Sequence, residues 1–112
     1  MAGMRPLIRL STGQTATAAA NTAVTITLTA VPNMKHRLSY VAWSYTAAPT
    51  GGRLTIANGS GNTVFDVDIT ASGPGALLPP DLVGSPNTAV IITLAAGSGA
   101  IVGKLNVYSS PE

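Results

Sequence analysis

The chain has 112 residues, 46% of them hydrophobic, which suffices for one compact domain and leaves no room for a second core. It contains no cysteine, which excludes disulfides, thiolate metal sites and cysteine nucleophiles. Only 9% of residues are charged and the net charge is +2, too little to argue for nucleic acid, and no apolar run approaches the roughly 20 residues that span a bilayer.

The N-terminal "MAGMRPLIRL" lacks the long apolar segment of a signal peptide, so synthesis in the cytosol is expected. Residues 1–22 read as an arm with a possible first strand at Leu7–Ser11, ahead of a single domain over residues 23–112. The run Ala18–Ala20 sits among β-branched Thr and after Gly13, which favours extended chain or loop over helix. The uncharged "STGQTATAAANT" suits static protein contact, since charge depletion marks interface cores.

From there the hydrophobic period is two. In "AVTITLTA", Val24, Ile26 and Leu28 alternate with Thr25, Thr27 and Thr29, giving one buried face and one hydroxyl-lined wet face. Next comes "NMKHRLSYVAWSYT", where Lys35, His36 and Arg37 precede the only Trp and two of the three Tyr. Strict alternation puts Arg37, Val41, Trp43 and Tyr45 on one face and Leu38, Tyr40 and Ala42 on the other. Both faces then carry apolar groups, so this strand is expected to be covered twice, by its own core and by a neighbouring subunit. The cationic trio reads as the solvated entry to the strand, with His36 partly exposed.

"GRLTIA", "TVFDVDIT" and "TAVIITLA" follow the same period, with Asp66 and Asp68 pointing to water. "AIVGKLNVY" sets Ile101, Gly103, Leu105 and Val107 against Lys104, Asn106 and Tyr108. "APTGG", "NGSGN", "SGPGALLPPD" and "GSPN" supply the turns, and "NGSGN" joins two strands as a hairpin. Seven or eight short strands with little or no helix predict an all-β, antiparallel sandwich, jelly-roll-like in kind.

Catalysis has little raw material. One histidine and four acids leave few ways to assemble nucleophile, base and orienting group, and no serine stands in a G-x-S-x-G elbow. Asp66 and Asp68 share a strand face about 7 Å apart, but no further oxygen ligands follow them, so calcium is not expected. No metal, cofactor, nucleic acid or membrane is expected. Charge is unevenly placed: Arg5, Arg9, Lys35, Arg37 and Arg53 all precede the first acid, Asp66, a pattern that can mark a basic surface for an acidic partner. Arg5, Arg9, Lys35, Arg37, Trp43 and Tyr45 are the candidate partner-binding residues. A sugar groove using Trp43 and neighbouring Tyr as stacking platform is the competing reading.

The stretch from "RLSYVAWSYTAAPTGG" through "VFDVDIT" and "SGPG" to the closing "GKLNVY", roughly Lys35 to Tyr108, resembles small β-sandwich proteins encoded among tailed-bacteriophage structural genes. That resemblance implies a virion component, made in the host cytoplasm: a capsid decoration (cement) protein, a head-fibre base or a tail accessory. Such proteins form dimers or trimers and seat on the lattice of the major capsid protein. By the same implication the N-terminal arm serves attachment or subunit exchange, with Arg5 and Arg9 meeting acidic capsid surface.

Overall fold

A computed structural model describes residues 12–77 and 83–112. Eight strands form among them: β1 (Thr12–Thr17), β2 (Val24–Leu28), β3 (His36–Tyr45), β4 (Gly52–Asn58), β5 (Thr63–Ile69), β6 (Gly75–Leu77), β7 (Val90–Leu94) and β8 (Gly103–Pro111). They build two antiparallel four-stranded sheets, in the orders β1-β8-β3-β6 and β2-β7-β4-β5. The expected sandwich is therefore present, and its strand order is that of a jelly roll.

The topology has a simple origin. β4 pairs with β5, β3 with β6, β2 with β7 and β1 with β8, as rungs of one long hairpin. Rolling that hairpin adds the β3–β8 and β4–β7 ladders and splits it into two sheets. Its tip is the "NGSGN" turn, where Gly59 (φ 84°) and Gly61 (φ 79°) take left-handed backbone that only glycine adopts at no cost. Asn58 N–H donates to the Asn62 carbonyl and closes the turn at 2.9 Å.

Period-two alternation decides which side chains meet between the sheets. Val24, Ile26 and Leu28 of β2, Leu54 and Ile56 of β4, Val90, Ile92 and Leu94 of β7, and Leu105 and Val107 of β8 are all buried. Each contributes roughly 1.5–3 kcal/mol by leaving water, so the core is held by many aliphatic residues and few aromatics. Phe65, Val67 and Ile101 pack against this cluster from its margin.

β3 departs from strict alternation. Its ladder with β8 shifts register between Leu38 and Tyr40, leaving Ser39 as an extra residue whose hydroxyl donates to the Tyr108 carbonyl at 3.1 Å. The bulge turns Leu38 onto the same face as Val41 and Tyr45, all three buried, and moves Arg37 and Tyr40 to the outer face. The expectation of two apolar faces on this strand is thus corrected: one face is core, and the other carries Arg37, Tyr40, Ala42 and Ser44.

The segment expected as an arm contributes a strand. Thr12–Thr17 pairs along its length with β8, from Thr12 opposite Ser109 to Thr17 opposite Lys104. Little in "TGQTAT" alternates between apolar and polar, so the neighbouring strand templates it. The possible strand at Leu7–Ser11, with Arg5 and Arg9, lies outside the described residues.

Candidate functional site

The Lys35, His36 and Arg37 trio divides three ways. Lys35 is exposed, and its backbone pairs with that of Glu112 in both directions, at 2.9 and 2.8 Å. His36 is only 7% exposed, and its Nε2 donates to the Thr29 carbonyl at 2.7 Å, tying the start of β3 to the end of β2. It is a core histidine, which corrects the expectation of partial exposure. Arg37 points outward, and its Nε donates to the Glu112 carboxylate, so the C-terminal residue and β3 are held together on the surface.

Tyr45 also moves from the candidate surface to the interior. It is 5% exposed, and its hydroxyl donates to the Ala95 carbonyl at 2.7 Å. Burial pushes its phenol above the ordinary value of 10.0. A residue so enclosed offers no partner contact. Trp43 lies half-buried between sheet face and core, its indole covering Gly75, where an added Cβ would stand 2.5 Å from Cε2. One side of the Trp43 ring thus lies against the protein's own backbone.

Three aromatics in this sheet obey one rule. Trp43 stands opposite Gly75, Tyr45 opposite Gly103 and Tyr108 opposite Gly13, each cross-strand neighbours in register. In each pair the ring fills the space a glycine side chain leaves, with the Tyr108 ring 3.0–3.3 Å from where a Gly13 Cβ would sit. Cross-strand pairs of this kind are the unit of sheet stabilisation. Trp43 and Tyr45 do so on the inner face; Tyr108 does so outside.

Tyr108 is therefore the residue that sequence reasoning missed. It is 47% exposed, the most exposed large aromatic among the described residues, and Tyr40 meets it edge to face with centroids 6.0 Å apart. Around the pair the outer face is built from short side chains: Thr15, Thr17, Ala42, Ser44 and Asn106 stand in register across β1, β8 and β3. The Arg37–Glu112 ion pair closes one end, and Lys104 stands at the other. The result is a charge-poor face with an exposed aromatic residue, Tyr108.

The outer face of the second sheet is different in character. Thr25, Thr55 and Thr93 stand side by side across β2, β4 and β7, with Thr25 and Thr93 hydroxyls 3.3 Å apart. Beside them Arg53 grips Asp66 with two hydrogen bonds, Nε to Oδ1 at 2.7 Å. That hydrogen bonding holds the Asp66 carboxyl below the usual carboxylate range.

Among the described residues no three of His, Cys, Asp or Glu gather as metal ligands, and no buried side-chain polar atom lacks a hydrogen-bond partner. Among the described residues a cavity of about 50 Å³ opens between Leu38, Ile56, Val64 and Val90, room for a few waters. The sequence matches no protein-family model and no curated protein.

Proposed function

We propose that this chain is a non-enzymatic structural protein of a tailed-phage virion, a capsid decoration (cement) protein that self-associates and seats on the major capsid protein lattice. The observation that supports this reading is the outer face of the β1-β8-β3-β6 sheet. It is uncharged at its centre, lined there by short side chains, and carries Tyr108, Tyr40 and Arg37, residue types that dominate binding energy at protein interfaces. The jelly-roll order agrees with the resemblance to phage structural proteins, as an analogy of fold alone.

Cementing makes and breaks no covalent bond. A decoration protein bridges neighbouring capsomers, and many modest contacts sum through multivalency into a large cost for separating them. The test is co-sedimentation with capsids stripped of accessory proteins. The wild-type chain should pellet with them, and Tyr108→Ala should lose at least tenfold in affinity while its circular dichroism spectrum at the assay temperature stays that of the folded wild type. Undiminished binding by Tyr108→Ala would remove this face from the contact.

One observation favours a second reading, host-surface glycan binding: the Tyr108 ring lies across Gly13 with its other side toward solvent, as a stacking platform would. Binding of the wild-type chain to a glycan array, lost in Tyr108→Ala, together with no capsid binding, would decide for it.

A further inference from the structure

The two sheets expose four edge strands: β1 and β6 in one, β2 and β5 in the other. An edge is a row of unpaired N–H and C=O groups, and proteins block it by shortening, by charge or by a bulge. Two of the four edges are blocked. β6 has three residues. β5 carries Asp66 and Asp68 toward solvent, and its ladder with β4 shifts register between Ile56 and Ala57.

The other two edges carry no such device. Both come from a stretch with no charged residue between Arg9 and Lys35 and no proline between Pro6 and Pro32. β2 and β1 touch, so the two open edges lie on the same side of the sandwich. Within β2, Val24, Ile26 and Leu28 are at most 6% exposed, while Thr25 and Thr27 face water. Its core side is already satisfied. What it lacks, among the described residues, is a strand along its outer edge.

We infer that β2 is a self-pairing edge: two copies join β2 to β2, antiparallel about a two-fold axis at Ile26, in one continuous eight-stranded sheet. This rests on the reading of the chain as self-associating and names the surface that does it. A two-fold axis sets Ile26 against Ile26, Thr25 against Thr27 of the second copy and Val24 against Leu28. An edge can accept its own copy only if each such pairing is tolerable. On β5 an axis at Asp66 would set Asp66 against Asp66, and an axis at Val67 would set Asp66 against Asp68; like charges so placed destabilise. On β2 it brings hydroxyl to hydroxyl, the contact Thr25 already makes with Thr93 on its inner flank. An isologous pair closes on itself, and the neutral β edge, otherwise a template for open-ended aggregation, is used up.

The experiment measures the mass of the full chain by light scattering across a concentration series. Wild type should weigh twice 11.2 kDa. Thr25→Lys/Thr27→Lys and Thr25→Asp/Thr27→Asp should each be monomeric with an unchanged circular dichroism spectrum, and an equimolar mixture of the two should recover the dimer. Variants that remain dimeric, or a mixture that stays monomeric, would overturn the pairing while leaving self-association through another surface. A wild type that is monomeric at every concentration would overturn both. Should the charged variants fail to fold, hydrogen exchange on wild type decides. β2 amides slowed at least tenfold from dilute to concentrated protein support the pairing, and unchanged rates overturn it.

Discussion

Tyr45→Phe separates a core residue from a contact residue. The substitution removes one oxygen and keeps the ring beside Gly97 and Gly103, so packing is nearly conserved. What is lost is the hydrogen bond to Ala95, 2.7 Å long. A typical hydrogen bond contributes about 1 kcal/mol net, and a buried acceptor left alone costs up to about 3. The Ala95 residue is half-buried, so water can reach its neighbourhood, and a loss of about 1–2 kcal/mol is expected. For a domain of this size that lowers the melting temperature by about 5–10 °C. Burial raises the phenol above 10.0, so the folded chain keeps a proton that the unfolded chain releases. The stabilisation is therefore complete below pH 10 and is lost as pH rises toward the folded value, and the gap between wild type and Tyr45→Phe should close there. Thermal melts followed by circular dichroism at pH 7 and across pH 9 to 11.5 measure both effects. Equal stability at pH 7, or a gap independent of pH, would refute the assignment of Tyr45 to the core.

Gly75→Ala should displace the indole of Trp43, because the new Cβ would stand 2.5 Å from Cε2 and Cζ2. A cost of about 1–3 kcal/mol and a red shift in the emission of this single Trp are expected, and an unchanged spectrum would contradict the packing. Asp66→Asn should leave neutral-pH stability nearly unchanged, since the pair with Arg53 is solvent-exposed. The folded carboxyl titrates below its ordinary value of 3.8, so its contribution is present above that pH and lost as pH falls. Melts between pH 5 and 2.5 should therefore decline less steeply in the variant than in wild type.

Most strands were legible because one face is buried and the other wet. β2, β4, β5, β7 and β8 each show that alternation in their residues, and the structure follows it. β1 and β6 were not legible: "TGQTAT" and "GAL" have almost no pattern, and their partners β8 and β3 impose the strand. The faces of β3 were misread because one bulged residue, Ser39, inverts the alternation behind it, and no local signal announces a bulge held by a carbonyl 69 residues away. The site suffered the same way. The charge of Arg37 marks it in the sequence, but its partner Glu112 arrives only through the β3–β8 ladder. Alternation along β8 does place Tyr108 outward with Lys104 and Asn106, but nothing in the sequence shows that Gly13 and Tyr40 stand beside it.

The nested ladder has a kinetic meaning. Closing β4 on β5 joins ends only a few residues apart, whereas joining β1 to β8 directly would close a loop of most of the chain. Loop entropy grows with the logarithm of the span, so the low-cost route zips outward from Asn58–Asn62, each rung shortening the next closure. Folding should then be slow for the chain's size, as distant pairings require. In a chevron experiment, weakening the Asn58–Asn62 turn should slow refolding, and weakening the β1–β8 ladder should chiefly speed unfolding. The same two ends of one hairpin would thus set separate clocks: the turn the time to fold, and β1 the time the sandwich stays closed.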